Sequence, residues 1–387
     1  MLTAIVFTWF ASAALLTINA LRKPVPPGRR FPPLWLPGMV VSELAPWAMV
    51  VHFLLAMLLV WTGGADTGLG ATALGLFAFT VIGHAVLMRR SLRSAAEAGD
   101  SPSLPALFRI AKTVPEGVSV SEGIPYHADL TMTIIRRESV EKAPALIYLH
   151  PGSWMRGSPG RQARPLLHGL AERGWVVLDI SYPLSPAATF PDHLIGVKRA
   201  IAWAKSEASN LSIDPELVAI AGGSSGAHLS ALAALTHGIQ WLQPGFEDAD
   251  TSVFACAPHY GIYDLLVRNE TRYDWPFIAK HVMKAKSSES PDLYRLGSPI
   301  DLVHESAPPF CVLHGELDSV VLPAESVHFV DALRTVGAEA RYHQVVGGQH
   351  GFDAFSSLRS RAVAQLVMAF LESEAERVRT RGRLQDR

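Results

Sequence analysis

Three uncharged stretches dominate the front of the chain, at residues 2–21, 44–61 and 69–88. Each approaches the ~20 consecutive apolar residues that carry a helix across a bilayer core. Trp47 and Trp61 stand near the ends of the second stretch, where an indole suits the membrane–water interface. A cleaved secretory signal is the rival reading of the first stretch, but no basic segment precedes it and Ala11-Ser12-Ala13 is a poor cleavage site. Buried helices of a soluble core are the rival for the other two. Length and flanking tryptophans favour a membrane region over residues 1–90 with three transmembrane helices. His52 and His84, inside it, are expected to be packed and neutral rather than ligands.

The polar positions between these stretches orient them. Arg22, Lys23, Arg29 and Arg30 follow the first, within a proline cluster at 24–37 that argues against helix there. The turn between the second and third holds only Asp66, and Arg89, Arg90 and Arg93 follow the third. Basic residues near span ends mark the cytoplasmic side. The amino terminus is therefore expected on the opposite face, with the large C-terminal domain cytoplasmic. Residues 91–116 read as a connector, polar and proline-punctuated from 94 to 115, that lies on the membrane surface or caps a pocket.

From Gly117 onward the periodicity changes to short β-rich runs alternating with helical ones. Strands are expected at 118–120, 130–136, 145–149, 175–180, 218–221, 254–257, 309–313 and 340–345, the first two antiparallel. Helices are expected at 162–173, 193–209, 324–336 and 355–374. Alternation of this kind predicts an α/β fold, a mostly parallel central sheet with helices on both faces, over residues 117–378, with a charged tail at 379–387. The long aromatic stretch 262–307, with Tyr263, Tyr273, Trp275, Phe277 and Tyr294, is expected to form a lid-like insertion or simply to pack down.

Composition adds exclusions. A formal charge of −1 over 387 residues carries no footprint for nucleic acid. Cys256 and Cys311 lie in apolar runs and read as buried thiols rather than a disulfide. No metal-binding spacing is present, so neither a metal nor another cofactor is implied. The triplets Asn210-Leu211-Ser212 and Asn269-Glu270-Thr271 match glycosylation sequons, which are common by chance.

Chemistry gathers at expected strand ends, where sheets of this type place their sites. Gly222-Gly223-Ser224-Ser225-Gly226 fits G-x-S-x-G in one frame, between a strand and an alanine-rich helix, with Ser224 at the apex. Taken alone it is also compatible with a Gly/Ser loop or a phosphate cradle. His150-Pro151-Gly152-Ser153-Trp154 follows one strand, His314-Gly315-Glu316-Leu317-Asp318 another, and Gly347-Gly348-Gln349-His350-Gly351-Phe352 the last. Acyl transfer needs a nucleophile, a base, a carboxylate and oxyanion donors, and these four segments hold one of each. Asp318 competes with Glu316 for the acid, and His350 with the reading of a solvated loop histidine. His150, His314 and His228 are expected to be structural.

The C-terminal ~270 residues resemble the α/β-hydrolase superfamily, specifically the hormone-sensitive-lipase-like esterases. The elbow, followed by Ala227-His228-Leu229, the acid segment, His350-Gly351-Phe352 and Ile180-Ser181-Tyr182-Pro183-Leu184-Ser185-Pro186 carry that likeness. It implies the catalytic residues Ser224, Asp318 and His350, with oxyanion donors on Gly152, Ser153 and Ser225. Two residues depart from the family's H-G-G-G loop. Pro151 has no N–H, and Ser153 stands where glycine is usual, which requires a negative φ. The implied activity is that of a membrane-anchored serine carboxylesterase or lipase acting on a hydrophobic ester, its partners being that substrate and the lipid bilayer. An amidase or deacetylase with the same residues, or a non-catalytic binding protein on this scaffold, is the alternative. A transporter fits poorly, because the spans hold no charge.

Overall fold

The computed structural model describes residues 1–23, 34–109, 114–138 and 141–385. Three long helices open it, α1 (Leu2–Leu21), α2 (Trp35–Trp61) and α3 (Gly68–Glu97). All three are long and apolar enough to cross a membrane. Their packing uses small residues: a Cβ at Gly83 of α3 would sit 2.2 Å from Cγ2 of Thr17 on α1, so the two backbones approach closely. Outward-facing Leu15, Leu54, Met57 and Ile82 are more than half exposed. Exposed apolar side chains in such number mark a surface that contacts a membrane or another protein.

The second region starts with the hairpin β1 (Val118–His127) and β2 (Leu130–Arg137), then β3 (Ala143–Leu149), α4 (Arg164–Glu172), β4 (Val176–Ile180) and α5 (Asp192–Ser206). It continues through α6 (Ala208–Leu211), β5 (Ile213–Gly223), α7 (Ser225–Leu235), β6 (Cys256–His259), α8 (Pro291–Leu296), β7 (Phe310–Gly315), α9 (Ala324–Thr335), β8 (Ala340–Val345) and α10 (Leu358–Gln385). The eight strands form one sheet in the order β1-β2-β4-β3-β5-β6-β7-β8. β2 pairs antiparallel with β1 and β4, and every pairing from β4 to β8 is parallel.

The fully apolar β3 explains why both faces are covered. Ala145, Ile147 and Leu149 point into a core shared with α5, α7 and α9. Leu146 and Tyr148 point into another shared with α4 and α10. At roughly 1.5–3 kcal/mol for each large apolar side chain fully buried, a strand of this composition is stable only when sandwiched. Its carboxyl end, like those of β5, β7 and β8, opens on the same edge of the sheet.

Several expected boundaries shift. The proline cluster was expected to exclude helix through residue 37, yet α2 starts at Trp35 and includes Pro37 and Pro46. Pro37 is the third helical residue, where a missing N–H costs nothing because first-turn N–H groups have no intrahelical acceptor. The remainder of the cluster, 24–33 with Arg29 and Arg30, lies outside the described residues. α3 runs nine residues past the third expected span, into the expected connector. There Ala95 packs with Leu107, Leu358 and Ala362, so the connector's start is fastened to α10; residues 110–113 of it are outside the described set. The charged tail, whose sequence also reads as a helix end, continues α10 through Gln385.

Candidate active site

β5 ends at Gly223 and α7 begins at Ser225, leaving Ser224 alone to make the turn at φ 53°, ψ −116°. That backbone is sparsely populated for a residue with a Cβ and persists only where its surroundings enforce it. Gly226 shows the enforcement: a Cβ there would stand 2.2 Å from the carbonyl oxygen of Leu149 on β3. Only glycine lets the helix start pass so close to the neighbouring strand. The result lifts the Ser224 side chain to the sheet's carboxyl edge, where it is 8% exposed.

The loops after β7 and β8 meet it there. Ser224 Oγ lies 3.0 Å from Nε2 of His350, and His350 Nδ1 lies 2.7 Å from Oδ2 of Asp318. A carboxylate only accepts, so Nδ1 carries the ring proton and Nε2 is left to accept from the hydroxyl. Asp318 is fully buried. Its other oxygen accepts from the backbone N–H groups of Val320 and Val321 at 2.8 and 2.9 Å. Burial pushes the carboxyl upward, but the His350 and His314 imidazoles beside it hold it well below the usual carboxylate range. Glu316, the competing acid, instead accepts from the N–H of Gly347 at 2.8 Å.

Three neighbours brace this row. His314, expected to have a merely structural backbone contact, places Nε2 3.0 Å from Asp318 Oδ2 and 2.9 Å from the Val321 carbonyl, with Ser326 Oγ 2.6 Å from Nδ1. Two acceptors at Nε2 fix the proton there, so Ser326 donates to Nδ1. The ring of Tyr260 meets the His350 ring edge-on at 4.9 Å and donates its hydroxyl to Asp353, which also holds His259 Nδ1 at 2.8 Å. Tyr182 stacks on His150 at 4.4 Å and donates to the His150 carbonyl, its oxygen also 3.2 Å from Ser225 Oγ. It thereby ties the loop after β3 to the start of α7.

That loop turns through Gly152 at φ 148°, where a Cβ would collide at 1.7 Å with the Arg156 carbonyl oxygen. Ser153 was expected to need a negative φ; it adopts φ 58°, and Trp154 φ 59°. The left-handed conformation costs a side chain on the order of 1–2 kcal/mol per residue. The loop is held in it by the buried Trp154, whose indole N–H donates to His228 Nδ1 at 3.2 Å. His228 in turn faces the Gly297 carbonyl at 2.7 Å, and its burial pushes the imidazole down to about 3. It stays neutral and structural. Further along the loop, the Gly160 N–H donates to Asp179 at 2.5 Å.

Gly152 and Ser153 border a cavity of about 420 Å³ that Ser224, His350 and Tyr260 also line. Trp275 and Ile262 of the aromatic stretch form one side, and Trp35, Leu36 and Met39 of α2 another. Ser225 lies beneath it, fully buried. Among the described residues no group of three or more His, Cys, Asp or Glu is arranged to hold a metal ion.

The BD-FAE family model matches residues 133–333. The chain is 44% identical over 232 residues to "Esterase LipQ" of Mycobacterium tuberculosis, covering 59% of this chain and 55% of that protein. It is 42% identical over 232 residues to "Probable carboxylic ester hydrolase LipM" of the same organism, covering 59% and 54%. The chain thus spans about half the length of these relatives. Among solved structures, a truncated carbohydrate esterase from gut microbiota superposes with a TM-score of 0.58 at 24% identity, over 68% of this chain and 100% of that one. That likeness is one of fold, the α/β-hydrolase arrangement.

Proposed function

Starting from a chain that belongs to the BD-FAE family, we propose that it is a membrane-anchored serine carboxylesterase acting on hydrophobic esters. The observation that carries the reading is the hydrogen-bonded row Ser224–His350–Asp318 at the edge of the cavity. Two relatives named as an esterase and a carboxylic ester hydrolase support it.

In this reading Ser224 Oγ attacks the ester carbonyl while His350 Nε2 takes its proton. Asp318 keeps the imidazole in the productive tautomer and offsets the charge it gains. The N–H groups of Gly152, Ser153 and Ser225 receive the tetrahedral oxyanion. His350 then protonates the departing alcohol, and water, deprotonated by the same imidazole, releases the acid from Ser224. α1, α2 and α3 span the bilayer, and the hydrolase domain stands on the cytoplasmic face. The 262–307 stretch lies over the pocket as a lid, and residues 379–387 remain a charged end.

Isolated membranes treated with a fluorophosphonate probe test this reading. Wild type is expected to label and to cleave p-nitrophenyl esters, and Ser224→Ala to do neither. An unlabelled wild type that leaves esters of every chain length intact would sink the proposal.

A further inference from the structure

α2 has two halves of different character. From Trp47 to Trp61 its outward side chains are apolar and exposed, with Leu54 at 56% and Met57 at 61%. The preceding turns lie against the hydrolase domain. Trp35, Leu36 and Met39, on one side of the helix, border the cavity that holds Ser224 and His350. The Trp35 ring meets the His350 ring edge-on, centroids 5.7 Å apart.

One turn further along, the same helix is fastened to the loop that carries His350. Ser42 donates to the Gly347 carbonyl at 3.3 Å. Glu43 is ion-paired with Arg359, both side chains fully buried, and Ser357 donates to Glu43 at 2.5 Å. Arg359 also donates from Nε to the Val346 carbonyl at 3.1 Å. A buried carboxylate and guanidinium are expensive to desolvate and persist only when tightly paired. Their placement here makes the seat of α2 specific to one register: a helix rotated or shifted by a turn would strand both charges.

We propose that the amino-terminal turns of α2 form the subsite for the apolar chain of the substrate, and that Glu43 and Arg359 are the positioning pair that seats it. Chain-length preference is then set by a membrane helix as well as by the hydrolase domain. The occupant is an unbranched apolar acyl or alkyl chain, because Trp35, Leu36 and Met39 line the cavity together with Ile262, Val320 and Phe355; Arg156 also borders it but is exposed to solvent. This inference rests on the hydrolytic reading above.

The test uses the full chain in phospholipid nanodiscs and compares kcat/KM for p-nitrophenyl decanoate with that for p-nitrophenyl acetate. Met39→Trp, which fills the subsite, is expected to lower the decanoate-to-acetate ratio about tenfold, mostly through KM. Met39→Ala is expected to raise it about threefold. Glu43→Gln is expected to draw the ratio toward one while the fluorophosphonate still labels Ser224. The double variant Glu43→Gln/Arg359→Met leaves no lone buried cation; it serves if the single variant does not fold, and must show the same loss of selectivity. Ratios within twofold of wild type in variants that still label overturn this inference and leave the esterase reading standing. A wild type that neither labels nor turns over removes both.

Discussion

Asp318 has no oxygen facing solvent: one accepts from two backbone N–H groups, the other from two imidazoles. Because its folded pKa is depressed, its contribution to stability is present above the ordinary carboxylate value near 4 and is lost as pH falls through the folded value. Replacing it by asparagine removes the charge that steadies an imidazolium, so Asp318→Asn is expected to lower kcat by about 10⁴-fold with little change in KM, read by steady-state ester hydrolysis. Asp179 has the opposite sign. Burial lifts its carboxyl to about 7, so the folded chain retains a proton between about pH 4 and 7 that the unfolded chain releases. Its cost is absent below that window and fully present above it. Asp179→Asn, which can still accept from Gly160, is expected to raise stability at pH 8 by on the order of 2–4 kcal/mol, the gain vanishing by pH 4; melting curves across that range measure it. Ser224, Asp318 and His350 were legible in the sequence because each sits in a short signature at a strand end. The bracing roles of Tyr182 and Tyr260 were not, since each acts through a neighbour distant in sequence; His314 stands in the same signature as Asp318, but its bond to that carboxylate leaves no mark in the pattern. Ser153 was misjudged because nothing local announces that a buried tryptophan next to it will hold a left-handed turn.

At the level of elements, the strand–turn–helix around Ser224 and the loop after β3 are shaped by close backbone approach. Gly152→Ala must displace the Arg156 carbonyl and with it the N–H groups proposed above as oxyanion donors. Loss of one oxyanion donor typically costs about 10²–10³ in kcat, and Gly152→Ala is expected to fall at least that far while circular dichroism stays native. The alternating pattern revealed each of the eight strands, yet not its length: β5 reaches back to Ile213 and β1 forward to His127, into polar stretches that only pairing makes extended. Periodicity also missed the start of α2. A proline-rich stretch reads as non-helical, and only the tertiary seat of Glu43 and Ser42 makes the turns from Trp35 worth forming. Pro46, inside the helix, cannot donate to the Ser42 carbonyl, and it falls close to where the seated turns give way to the exposed apolar ones.

For the molecule as a whole, the C-terminal ends of α1 and α3 and the N-terminal end of α2 all lie beside the hydrolase domain. Leu317, Ser319 and Gln349 share a small cleft with Asn19, Arg22 and Trp35, and Leu107 and Leu358 enclose Ala95. Three long apolar helices put those ends on one face, and hydropathy made the helices legible; the docking between the two regions it could not, because a buried ion pair leaves no periodic trace. The protein is expected to stay in the membrane pellet after alkaline carbonate extraction, with the 62–67 turn on the far side from the catalytic domain. The native sulfhydryls make that geometry easy to read. Cys256 and Cys311 are both interior, and burial pushes the first thiol well above its ordinary value and the second up to about 12, so neither offers a thiolate to an alkylating dye. A cysteine placed by Asp66→Cys would be the lone target for a maleimide that cannot enter cells, and intact cells should light up without lysis. Nature has left this chain with a silent background on which a single-label map of sidedness can be drawn.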